Sequence, residues 1–197
     1  EQVAVVWRSR QDVMKSSFGT EIIDMKKLGV LVGSGGVLSH APRRHQAALM
    51  LLDAFQPEAF CQLAVDSIFM MPHLGVLAQV NQQAATEVFN RDCLIHLGTC
   101  VAAANQVKPG GKCFDYRIHV QGATRQGSVE GGQIVLEPLG LNEIAEVLIE
   151  PARGVDVGAG PGKTLQAKVN GGVVGLALDG RGRPLEVPKA NRSQTVA

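Results

Sequence analysis

Residues 28–55 constrain the fold more than any other stretch. Leu28-Gly-Val-Leu-Val32 is a short, almost purely apolar run, the pattern of a parallel strand buried on both faces. Gly33, Ser34, Gly35 and Gly36 follow as a tight turn. Glycine permits positive φ and lets a ligand come close to the backbone. Ser39 stands where an N-cap would, and Pro42 suits a first helical turn. Gln46 to Phe55 then carries a strong helical pattern. Strand, glycine turn and helix make half of a βα unit, and in open α/β sheets ligands sit beyond the carboxyl ends of strands at such turns. Close helix–strand packing would explain the same glycines, so the rest of the chain has to decide.

With 197 residues, 45% of them hydrophobic, the chain can bury one large core or two small ones. Aromatics are only 4%, so that core is expected to be aliphatic. A net charge of +1 without a long basic run argues against nucleic acid or an acidic membrane as partner. No apolar stretch reaches membrane-spanning length, and no signal-peptide pattern opens the chain. It begins at Glu1 rather than Met, as a fragment or processed product would. Cys61, Cys93, Cys100 and Cys113 form no C-x-x-C pair and have no histidine at zinc-ligand spacing. They read as reduced, buried thiols of a cytoplasmic protein.

Along the chain, Val3, Val6, Trp7, Val13, Met14 and Phe18 fall near helical spacing, with a strand over Val3–Trp7 as the alternative. Phe60 to Val65 reads as a strand. Pro72 opens a helix through Val80, and Asn81 caps another from Gln82 to Phe89. The texture changes near residue 93, where β-branched residues and glycine turns replace helical periodicity. Tyr116, Ile118 and Val120 alternate with Arg117 and His119. Gln133–Leu136, Ala145–Ile149, Leu165–Val169 and Val173–Leu178 are further strands, separated by turn signals that include Gln126-Gly. The division this predicts is an α/β part over residues 1–92, a β-barrel or sandwich over 93–188 and a frayed tail over 189–197.

Two chemical motifs fail on inspection. Gly158-Ala-Gly-Pro-Gly162-Lys163-Thr164 invites a P-loop reading, but Val157 occupies the first glycine position. A strand pattern follows where a P-loop needs a phosphate-binding helix, so a wide glycine turn is expected. Arg117-Ile-His119-Val-Gln-Gly122 approaches the D-x-H-x-x-G of a cobalamin-dependent mutase, yet Arg117 replaces the carboxylate that would orient a metal-bound histidine. His119 therefore reads as an exposed strand residue. His40 and His45, with Arg43 and Arg44, could face a phosphate-bearing ligand or simply form an exposed first helical turn. No catalytic set and no metal ligand set stands out.

Val32-Gly-Ser-Gly-Gly-Val-Leu-Ser-His-Ala-Pro42 nevertheless resembles a characteristic segment of the MutL/GlmL family, accessory proteins of adenosylcobalamin-dependent glutamate mutase and related aminomutases. Asp66-Ser-Ile-Phe-Met-Met-Pro-His-Leu-Gly-Val-Leu77 is similar to the family segment that follows. Glu150 to Gly160 and Val174 to Leu185 look like its C-terminal β domain. The resemblance implies an actin-like ATPase fold of the sugar kinase and heat-shock chaperone type. It maps Gly33, Ser34, Gly35 and Gly36 onto the loop beside the adenosine of ATP. It also implies ATP with Mg²⁺ as cofactor of the longer protein, mutase subunits as partners, and a role in assembling or reactivating the mutase. A non-catalytic scaffold that docks on the mutase is the alternative. Nothing in residues 1–27 resembles the family's phosphate-binding hairpins. The chain is thus expected to be the C-terminal part of a longer protein, without a phosphate clamp or Mg²⁺ site of its own, and not catalytic alone.

Overall fold

The computed structural model describes residues 24–185. The expectations for residues 1–20 and for the tail lie outside that range. Among the described residues, nine strands form two sheets. They are β1 (Val30–Gly33), β2 (Ala59–Asp66), β3 (Leu94–Ala102), β4 (Lys112–Val120), β5 (Ala123–Glu130), β6 (Ile134–Glu137), β7 (Ile144–Pro151), β8 (Leu165–Asn170) and β9 (Gly175–Asp179). The first sheet has the order β1-β2-β3-β9-β6 and the second β5-β4-β7-β8. Among the described residues, four α-helices precede β3: α1 (Gly36–Ser39), α2 (Arg44–Phe55), α3 (Met71–Ala78) and α4 (Gln82–Val88).

Parallel strands need a crossover. β1 and β2 pair in parallel, and α2 supplies the connection. Its Ala47, Ala48, Leu51 and Leu52 pack on Leu63, Val65, Leu97 and Ala102 of the first sheet. Alternation along the strands sends the neighbouring residues, Val101, Leu176 and Leu178, to the opposite face. There they meet Phe114, Ile118, Val147 and Ile149 of the second sheet. The result is three layers: helix, mixed sheet, antiparallel sheet. This is an α/β architecture with predominantly β content.

Several expectations are corrected in detail. β1 is an edge strand rather than one buried on both faces, and Val30 is 51% exposed. Ser39 does not cap the long helix. It closes α1 and donates its hydroxyl to the Gly35 carbonyl. Arg43 takes the N-cap position, its N–H accepted by Gln46 Oε1 at 3.2 Å, and Pro42 precedes the helix. Gln126-Gly127 lies inside β5, opposite Arg117 and Tyr116, and is not a turn. β3 and β5 were absent from the predicted strands. The helices stop at the texture change, but sheet pairing crosses it: β3 pairs antiparallel with β2, and β9 and β6 complete the sheet that β1 and β2 begin.

The helical connection between β2 and β3 matches its prediction closely. Pro72 lies in the first turn of α3, and Asn81 caps α4 by accepting the Ala84 N–H at 3.0 Å. A turn of π-helix over Phe89–Cys93 leads into β3.

Candidate functional site

The glycine turn lies at the carboxyl end of β1, and its glycines have different reasons to be there. A Cβ on Gly33 would press on Leu38 and Leu51, so this glycine lets α1 and α2 pack against the strand. Gly35 has φ 110°, a conformation that favours glycine, with open space where a side chain would point. At Gly36 the nearest atom to a Cβ is His40 Nδ1, 4.0 Å away. The space a Cβ would take is therefore open at Gly35 and Gly36, while their carbonyls accept N–H groups of α1 and His40.

Ser34, exposed on this turn, donates its hydroxyl to Asp66 Oδ2 at 3.3 Å. Asp66 ends β2, the parallel neighbour, and its side chain is fully buried. Its carboxylate also accepts the backbone N–H groups of Ile68, Met70 and Met71 at 3.4, 3.2 and 3.0 Å. Burial alone would raise the pKa of this carboxyl. The donors from Met71, Met70, Ile68 and Ser34 outweigh it and hold the group below its ordinary value. Asp66 is thus a clamp that folds the loop after β2 and ties it to the glycine turn. The loop carries Phe69 in a left-handed conformation, φ 57°, with the side chain in solvent. Asp66→Ala is expected to cost about 1–3 kcal/mol through unsatisfied buried donors. Hydrogen exchange should accelerate at residues 68–71 first; unchanged protection there would show that the clamp is not needed.

Of the basic residues near the turn, Arg43 and His45 are exposed at the start of α2, while Arg44 and His40 bond locally. Arg44 Nη1 donates to the Ser39 carbonyl at 2.9 Å, and His40 Nδ1 lies 3.1 Å from the Gly36 carbonyl oxygen. Among the described residues no group of three or more histidines, cysteines or carboxylates could hold a metal ion. The Gly158–Thr164 turn leads into β8 rather than a helix. It is held by Asp156, which accepts the Gly158 and Gly160 N–H groups and pairs with Lys26 at 2.6 Å. His119 is exposed on β4, 3.1 Å from Thr124 Oγ1. All four cysteines are free and buried, and burial pushes the Cys61 thiol up to about 11 and that of Cys113 to about 12.

A second polar cluster had no sequence signal. Asp179, fully buried at the end of β9, binds Arg183 Nη2 at 2.8 Å and Arg181 Nη2 at 3.0 Å. Arg181 also reaches Asp53 of α2 at 2.7 Å, and buried Arg183 donates to the Pro57 carbonyl. Its charges are mutually satisfied, and it works as a buckle between the end of the first sheet and the helix layer.

These elements define an α/β protein with a βαβ glycine-turn unit backed by a second, antiparallel sheet. Residues 8–93 match the family model described as MutL protein. The match takes in the glycine turn, Asp66 and the α3–α4 connection. The segments at 150–160 and 174–185 lie beyond it. No curated protein and no solved structure matches the chain.

Proposed function

We propose that this chain is part of a MutL/GlmL-type accessory protein that assembles or reactivates an adenosylcobalamin-dependent mutase. In this reading Gly33, Ser34, Gly35 and Gly36 form the nucleoside-side wall of an ATP site in an actin-like ATPase. The observation that carries it is the open space on the Cβ side of Gly35 and Gly36 at the carboxyl end of β1, in a turn fixed by Ser34 and Asp66 and inside the family match. Two of the charged groups beside the turn are already committed within the protein. Asp66 is buried and already accepts four donors, and Arg44 is engaged with backbone. Phosphoryl transfer rests on positioned charge and metal, so those groups would come from outside the described residues. The contribution of this part is to bind and orient, by presenting backbone that a purine nucleoside can approach without a side chain in between.

Gly36→Leu in the full-length protein tests this. The position is open and its φ is not left-handed, so the fold should tolerate the change better than a substitution at Gly35. Calorimetric titration with ATP and Mg²⁺ should show affinity about tenfold weaker or worse, with little change in melting temperature. Equal affinity in mutant and wild type would remove the nucleoside role. A full-length wild type indifferent to nucleotide, yet bound to mutase subunits, would leave the scaffold reading.

A further inference from the structure

Apart from exposed His73, α3 is built of Met, Pro, Leu, Gly, Val and Ala, an apolar composition that belongs in an interior or an interface. Of its residues only Leu74 is buried. Ile68 is 59% exposed, Phe69 55%, Met71 36%, Val76 66%, Leu77 39% and Val80 87%. No Asp, Glu, Lys or Arg occurs between Asp66 and Glu87. This uncharged ridge caps the carboxyl end of β2, in a connection whose tertiary contacts are largely between α3 and α4 themselves.

We propose that the ridge formed by residues 68–80 is a symmetric interface through which two copies of this chain pair. Two features favour a second copy as the occupant. A two-fold axis sets each residue near the axis against itself or a close neighbour, so any charge there repels its own image. A ridge without charges has no such penalty, and it offers no basic residues for anionic lipid. The area also fits. Burying a large apolar side chain fully removes on the order of 100 Å², so these six leave roughly 350 Å² bare. Interfaces are a little over half apolar. A patch built on these six is therefore about 600 Å² a side, or about 1,200 Å² for the pair, where specific interfaces begin. The proposal does not depend on the nucleoside-loop reading.

Sedimentation equilibrium of the full-length protein, without nucleotide, tests it against Val76→Glu/Val80→Glu. Both positions lie outside the core, and circular dichroism melts check that the variant folds. The wild type should show a concentration-dependent dimer in the micromolar range. The variant should dissociate at least about tenfold more readily, because two glutamates per copy meet across the axis. A wild type that stays monomeric throughout that range, or a dimer the folded variant leaves unchanged, would overturn the proposal. A monomer that floats with phosphatidylcholine vesicles, or pairs with mutase subunits through the ridge, would overturn it in favour of those occupants. If the double variant fails to fold, Val80→Gln takes its place with the same expected direction.

Discussion

Replacing Asp179 by asparagine is expected to destabilise the fold by about 3–5 kcal/mol, the cost of leaving buried charge unpaired. Asp179 is fully buried and Arg183 is 3% exposed, so neither can turn to water when its partner is neutralised. Arg181 would keep Asp53, which is partly exposed, but Arg183 would be left with neutral acceptors alone. Urea unfolding at neutral pH measures the loss. The double variant Asp179→Asn/Arg183→Met should lose less than the sum of the single changes, because the two act on one interaction. Unfolding midpoints equal to wild type would show that the buckle contributes nothing.

The same group gives stability a pH dependence. Burial would raise the Asp179 carboxyl, but the hydrogen bond from Arg181 and the charge of Arg183 hold it below its ordinary value of 3.8. A carboxyl depressed in the folded state contributes fully above its unfolded pKa. The contribution is lost as pH falls through the folded value. Asp66 is depressed in the same direction. The wild type should therefore lose stability progressively below about pH 4, and Asp179→Asn should show a shallower loss over that window.

Gly98→Ala is expected to be at least as damaging, above about 4 kcal/mol, enough to prevent stable folding. Gly98 has φ 136°, and a Cβ there would be driven into the carbonyl of Gly175 on the adjacent strand. Backbone on both sides leaves nothing to move aside. The pair Gly98 and Gly175 begins the parallel contact of β3 with β9; close approach of two backbones explains both glycines. Gly29→Ala is the control, since no atom lies within 4 Å of its Cβ. Soluble yield and thermal melting should separate the two variants sharply. A melting temperature for Gly98→Ala near that of the wild type would refute this account of β3 and β9.

Much of the local structure was legible in the residues. Helix α2, the capped start of α4 and the alternation of β4 and β7 follow from period, cap and pattern. β3 was not legible because all of its residues from Leu97 to Ala102 are buried; a strand covered on both faces does not alternate. β5 was hidden by polar residues and by Gln126-Gly127. That glycine is there because the Tyr116 ring fills the space a side chain would need. The glycine turn was read as a candidate ligand loop, but its tie to Asp66 was not. Ser34 and Asp66 meet only because β1 and β2 are parallel neighbours. The Asp179 cluster was invisible for the same kind of reason, since its members lie on α2, β9 and the chain after β9.

The placement of β9 has a consequence for the making of the protein. This strand is hydrogen-bonded on one side to β3 and on the other to β6, yet among the described residues it is the last strand in chain order. As the nascent chain leaves the ribosome, β1, β2 and β3 can pair and be covered by α2, but β3 must wait with a bare apolar edge while the second sheet is synthesised. An unpaired edge is a template for other chains, and a contact so distant in sequence closes slowly. Chains that terminate before Gly175 would keep that edge for good, which makes premature termination in this protein a route to aggregation rather than to a shorter soluble product.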